Sequence, residues 1–324
     1  MIARQIFLYV LLLALAVVSL FVGAADLSPS EVWQGLFGDA DNITSAVVTG
    51  IRLPRVLGAI SLGVALGIGG LGLQASFRNK LAEPYLLGIS SGAGLGLVVG
   101  ALLQTGDVPL VPVASAAVSG VLAALLIRRL GNFTTSSDGL ILTGVALNFV
   151  FLAWTLILIF AIDSPRLPTF VYFVFGSLAT VTWPILWIAV FLIAGAMVVI
   201  ATKARALDLL SLGDDEASSL GIDVPRVVTA VLLATGVATG ASVAMAGVVG
   251  FVGLVASLVG RQLFGSSHRV LIPATATIGA IFVLISDTLI RGVFGQVEVP
   301  LGVVTAAIGG PLLVTILLRA RLAR

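Results

Sequence analysis

Apolar runs of about 20 residues alternate along this chain with short polar breaks. They fall at 6–25, 55–76, 86–103, 110–130, 138–162, 183–202, 225–247, 248–264, 270–290 and 301–320. A helix of about 20 residues is roughly 30 Å long, the thickness of a bilayer's hydrocarbon core. The pattern therefore predicts an all-α, polytopic membrane protein with ten transmembrane helices, forming a single transmembrane domain over residues 1–324. The run 248–264 is short and holds Gly250, Gly253 and Gly260, so its ends are the least sharply drawn. The first run ends in Val22-Gly23-Ala24-Ala25, which resembles a signal-peptidase site, but its length predicts a retained span. After it, Leu27-Ser28-Pro29-Ser30-Glu31-Val32 carries the marks of a helix start: Ser28 at N-cap, Pro29 at N1, Glu31 closing a capping box. Val32, Trp33, Leu36 and Phe37 then suit a short helix at the membrane surface.

One polar break is longer than the rest. Residues 203–226, KARALDLLSLGDDEASSLGIDVPR, carry Asp208, Asp214, Asp215, Glu216 and Asp223 with Lys203, Arg205 and Arg226. Its centre predicts a short helix. Three acids follow Gly213, where a helix N-terminus favours negative charge, and Gly221 stands where a left-handed C-cap belongs. Leu209, Leu210, Leu212 and Leu220 are expected to give it one apolar side.

Composition sharpens the class. Hydrophobic residues make up 59% and charged residues 10%, which excludes an ordinary soluble domain. With the N-terminus inside, thirteen Lys and Arg fall on cytosolic segments, while Arg52, Arg55, Arg166 and Arg291 fall outside. This positive-inside asymmetry predicts that both termini and the 203–226 loop are cytoplasmic. Glycines recur at four-residue intervals (Gly88, Gly92, Gly96 and Gly100; Gly63 and Gly67; Gly236 and Gly240), and such stripes let helices pack closely in lipid.

The chemistry of catalysis is thinly supplied. There is no cysteine and a single histidine, His268, so no Cys/His metal site or nucleophile–base pair is indicated. Gly88-Ile89-Ser90-Ser91-Gly92 matches a nucleophile-elbow pattern but lacks its strand and its base. Neither lysine follows a glycine, so no phosphate-binding loop is present, and any ATP hydrolysis belongs to another chain. No catalytic, cofactor or metal residue is predicted, and no nucleic-acid partner. An ion-coupled carrier would keep ionisable groups at mid-membrane. Asp287 is the one acid well inside a predicted span, and Arg291 one turn later predicts a structural ion pair.

Several ordered motifs are similar to the signature of FecCD-type permeases, the membrane subunits of type II ABC importers for iron-siderophores, haem and cobalamin. They are Arg52-Leu53-Pro54-Arg55, Gln74, and Arg78-Asn79-Lys80-Leu81-Ala82-Glu83-Pro84 with Leu87-Gly88. Further along come LGDDEASSLGI (212–222), AGVVGFVGLV (246–255), HRVLIPA (268–274) and EVPLGVVTAAIGGP (298–311). The resemblance covers nearly the whole chain. It implies ten helices per subunit, a dimer of permeases (a homodimer here), two cytosolic ATPases and an extracytoplasmic binding protein, in a bacterial inner membrane. It implies coupling helices between helices 6 and 7, at Leu212, Gly213, Asp214, Asp215, Glu216, Ala217, Leu220 and Gly221. Arg52, Arg55 and Arg291 match outer residues that meet the binding protein, and Asn79, Leu81 and Ser137 match a cytoplasmic gate. Lys80 stands where the family commonly has Pro, and Ser257-Leu258 where it commonly has Pro-His. The implied cargo is a ferric siderophore or haem, with cobalamin as the alternative within the family. An ion-coupled secondary transporter is the alternative outside it.

Overall fold

A computed structural model describes residues 2–23, 25–38, 43–104, 109–131, 137–161, 174–295 and 299–322, and among these every regular element is helical. The chain opens with α1 (Ile2–Phe21), α2 (Pro29–Phe37), α3 (Ile43–Val47), α4 (Leu53–Ser76), α5 (Ile89–Leu103), α6 (Leu110–Gly131) and α7 (Ser137–Ala161). It continues with α8 (Trp183–Thr202), α9 (Ala204–Leu210), α10 (Asp214–Ser219), α11 (Val224–Ala246), α12 (Val252–Phe264), α13 (His268–Val293) and α14 (Leu301–Leu322). Among the described residues seven helical stretches are long and apolar enough to cross a membrane. Three more, Ile89–Leu103, Val252–Phe264 and Leu301–Leu312, are apolar but shorter.

The glycine stripes do what their spacing predicts. A Cβ on Gly63 would overlap the Gly279 carbonyl, and one on Gly67 would crowd that of Thr275, so α4 and α13 touch backbone to backbone. Gly92 and Gly96 of α5 receive Ala123 and Ser119 of α6, while Gly236 and Gly240 of α11 close on Gly120 and Ala117 of α6. Without a hydrophobic drive between helices in lipid, this close approach supplies the dispersion contacts that hold them. Gly88 departs from the stripe: it precedes α5 with φ of 75°, so the helix begins at Ile89, three residues later than its apolar run.

The inner core is formed by α4, α11, α12 and α13, with Leu62, Leu71, Val231 and Val283 fully enclosed. Helices α1, α7 and α8 turn large side chains outward, including Phe7, Leu13, Phe149, Trp154, Trp187 and Phe191. In a membrane these would face lipid or another subunit. Helix α2 opens as predicted: Ser28 Oγ accepts from the Glu31 amide, and the Glu31 carboxylate accepts from the Ser28 amide. Donation to this carboxylate from the Ser28 hydroxyl, and then from the Ser28 amide, holds the Glu31 carboxyl below its ordinary value.

Two non-helical stretches meet inside the bundle. The 225–264 apolar region breaks at 247–251, where Gly247 and Phe251 both take positive φ. Glu83, from the turns joining α4 to α5, is 1% exposed, and its Oε1 accepts from the Phe251 amide at 3.1 Å. It thus caps α12 from 168 residues away. Irregular backbone at such a place survives only when protein groups satisfy it.

Candidate functional site

The 203–226 break folds into two short helices with opposite characters. In α9, Leu207 and Leu210 are fully buried in the main core together with Ala75, Leu271 and Ile272. Asp208, between them, accepts at Oδ1 from the His268 amide and meets His268 Nδ1, both at 2.7 Å, while Oδ2 accepts from Ser267 Oγ at 3.3 Å. Helix α10 is open to solvent. Asp214, Asp215 and Glu216 form its first turn, and Ala217 is the one residue of the helix that is buried. Gly213 enters it at φ 137° and Gly221 leaves it at φ 83°, two conformations that glycine alone adopts without strain.

The expected single apolar side does not form. Leu210 is enclosed, Leu209 is partly buried, and Leu212 and Leu220 are 62% and 59% exposed. The turn at Ser211–Gly213 rotates the second helix away from the core, so the leucines at either end of α10 point outward. A side-chain contact at 3.8 Å between Asp214 and Arg78 brings α10 beside the turn after α4. Both groups are more than half exposed, so the pair is worth about 0–1 kcal/mol.

At the opposite end of α13 lies a cluster of buried charge. Asp287, 1% exposed, binds Arg291 Nε at 2.9 Å through Oδ2, and Arg55 at 2.9 and 2.8 Å through Oδ1. The predicted i,i+4 pair therefore forms and gains a second arginine. Arg291 also donates to the Ser19 and Val22 carbonyls and to Ser19 Oγ. Arg52, 4% exposed, donates to the Leu20, Phe21 and Ala25 carbonyls. The unpaired carbonyls at the C-terminus of α1 are thus met by two guanidiniums, which also suit the negative end of its dipole. The sequence reads Arg52, Arg55 and Arg291 as outer residues that meet a binding protein, with Arg291 also paired to Asp287; in the structure each of the three has an internal partner. Arg55, with a side chain 16% exposed, is the most accessible of the three.

Of the gate candidates, Asn79 is buried in a turn in which its Oδ1 accepts from the Leu81 amide, and Leu81 is partly covered. Arg78 takes φ of 49° just before it, and Lys80 points to solvent. Ser137 opens α7, and its side chain lies outside the described residues, as do Arg166 and Glu298. Between α5 and α7 is a cavity of about 220 Å³, lined by Leu97, Val98, Leu152 and Ile159, with Tyr85, Asn148 and Thr155 as polar groups. A second cavity shares Tyr85, Phe175 and Val248 and reaches Phe251 and Gly302.

These features sit within an alignment that spans the chain. Residues 11–319 match the model of the FecCD transport family. The chain belongs to that family. It is 38% identical over 323 residues to the hemin transport system permease protein HmuU of Yersinia pestis, covering 97% of this chain and 95% of that one. It is 35% identical over 314 residues to the vitamin B12 import system permease protein BtuC of Salmonella typhi, covering 97% and 94%. A solved metal-chelate type ABC transporter in an inward-facing conformation superposes with a TM-score of 0.84 at 29% identity, covering 98% of this chain and all of that one.

Ser257, set apart in the sequence reading, has a visible role: it sits in α12, 1% exposed, and its Oγ accepts from Gln74 Nε2 at 2.7 Å, joining α12 to α4. Among the partnerships that escaped sequence reasoning are Glu83 with Phe251, Asp208 with His268, and Arg55 with Asp287. The signals available were a lone histidine in a polar break, an acid just before Pro84, and an arginine whose partner lies 232 residues away.

Proposed function

We propose that this chain is the membrane-spanning subunit of an ATP-driven importer that moves an iron chelate or haem from a binding protein into the cytoplasm. The observation that carries this is likeness over nearly the full length to permeases named for hemin and vitamin B12 transport. A solvent-facing helix presented on a core-anchored arm supports it. Seven long apolar stretches and three shorter ones make ten spans, with both termini and α10 on the cytoplasmic side. There α10, with Leu212 and Leu220 exposed at its ends, is the surface that seats in a separate ATPase. The outward side chains of α7 and α14 are offered to a second copy of the chain. At the other end, a binding protein docks on the face that Arg52 and Arg291 shape and Arg55 borders. Asn79, Leu81 and Ser137 close the route at the cytoplasmic mouth.

Cobalamin is the alternative cargo of the same machine. An ion-coupled carrier receives no support from the buried acids, since Asp287 is neutralised by two arginines and Glu83 is engaged as a helix cap. The test is reconstitution in proteoliposomes with a cognate ATPase and binding protein. Uptake of haemin, a ferric hydroxamate or cyanocobalamin should require all three components and ATP. Accumulation driven by a proton gradient without the ATPase would overturn the proposal.

A further inference from the structure

An ATPase seated on α10 can drive transport only if displacement of that helix enters the bundle. Helix α9 provides the route. Its Asp208 places one carboxylate at the N-terminus of α13, where it accepts from the first-turn amide of His268, from the imidazole and from the Ser267 hydroxyl. Ser267 is itself the N-cap of α13 but makes no side-chain capping bond within that helix. The carboxylate of another element does that work, at the positive end of the helix dipole. The imidazole is 2% exposed, and its Nε2 has no hydrogen-bond partner among the described residues, so Asp208 alone orients it. Leu207 and Leu210 lie in the core with Leu271 and Ile272 of the same first turn of α13. A charged clamp and an apolar one therefore join α9 to the same end of α13.

Helix α13 then runs as one helix for 26 residues, with Pro273 inside it near its start, about 39 Å at 1.5 Å per residue. At its other end Asp287 and Arg291 bind Arg55 and the last turn of α1. Its middle is locked to α4 through Gly279 and Gly63. A close-packed helix gripped at both ends moves as a body, because packed interiors do not stretch.

We propose that Asp208 is a positioning residue for coupling: through it, displacement of the α9–α10 arm enters α13, which carries it to the arginine cluster at the far end. This rests on the importer reading. The experiment uses the full complex, with ATPase and binding protein, in proteoliposomes, and whichever of haemin, ferric hydroxamate or cyanocobalamin the wild type accumulates. In Asp208→Asn and Asp208→Ala, uptake per ATP hydrolysed should fall about tenfold, while ATPase co-purification stays within twofold of wild type. Asp208→Glu should recover part of the ratio. Because the chain has no cysteine, Phe294→Cys, just beyond α13, accepts a single environment-sensitive fluorophore. Its ATP-dependent signal should be present in the wild-type background and lost with Asp208→Asn.

A ratio within twofold of wild type in both variants, or a fluorophore response that persists, overturns the inference. So does poor assembly with a normal ratio in the fraction that assembles, which would make Asp208 a folding residue only. A wild-type complex that accumulates none of the three probes fails the importer reading instead, and is recognised before any variant is made.

Discussion

The far end of α13 and the α10 arm use charge in opposite ways. At the first, Asp287, Arg291, Arg55 and Arg52 are largely withdrawn from solvent, each arginine bonded to the carboxylate or to groups at and just after the end of α1. At the other, Asp214, Asp215 and Glu216 stand open on α10, supported mainly by the helix dipole and by a loose contact to Arg78. Buried charge is costly unless fully paired, and once paired it fixes the position of whatever it touches. Exposed charge fixes little and is available to a partner. The arginine end is therefore a joint within the chain, and the acidic end is left free for the partner proposed above.

The largest effect should come from breaking the joint. Asp287→Ala leaves the Arg55 and Arg291 guanidiniums without their counter-charge and should destabilise the chain by about 3–5 kcal/mol, read as a lowered thermal midpoint in detergent. The triple replacement Arg55→Met, Asp287→Leu and Arg291→Met should be tolerated better than Asp287→Ala alone, since no lone charge remains buried. If the single variant melts like wild type, the cluster is not the joint described.

Next comes Gly221→Val. Nothing lies within 4 Å of a Cβ at this position, so space is not the obstacle. The obstacle is the backbone: at φ 83° a β-branched residue is strained by about 1–3 kcal/mol. The strain is local to the end of α10, so global stability should change little, while ATPase co-purification or uptake per ATP falls severalfold. Full coupled uptake in a well-folded complex would make the α10 arm a passive connector.

Asp215→Asn should matter less. It removes one exposed first-turn charge, and surface changes of this kind stay within about 0.5 kcal/mol. Measured beside Gly221→Val for the same co-purification and uptake ratio, it should lie close to wild type. The smallest expected effect is on pH. Because the capping hydrogen bonds lower the Glu31 pKa from its ordinary 4.5, the contribution of this group to α2 is complete above that value and is lost as pH falls through the lowered one. Hydrogen-exchange protection at the Ser28 and Glu31 amides, corrected for the intrinsic rate at each pH, should therefore fall only below about pH 4.5.

Much of this was legible in one dimension. Apolar runs, the Ser28–Glu31 cap, the glycine stripes and the Gly221 turn are local signals, readable because backbone periodicity and capping act over three or four residues. The Asp287–Arg291 pair was legible for the same reason, being one helical turn apart. The α10 leucines were misread because a single glycine turn at Gly213 changes which way a helix faces, and periodicity carries no information across such a turn.

By itself, then, the sequence determined the all-helical membrane class, the order and approximate ends of the apolar helices, the helix caps, and the family with its implied role. Only the tertiary structure decided which polar groups meet: Glu83 with the Phe251 amide, Arg52 with the end of α1, Arg55 with Asp287, and Asp208 with His268. The physical reason is that a helix's apolar pattern specifies that it is buried but not against which neighbour. Those neighbours are chosen by close backbone approach at residues such as Gly63 and Gly279, and the long-range pairs of charge follow from that choice.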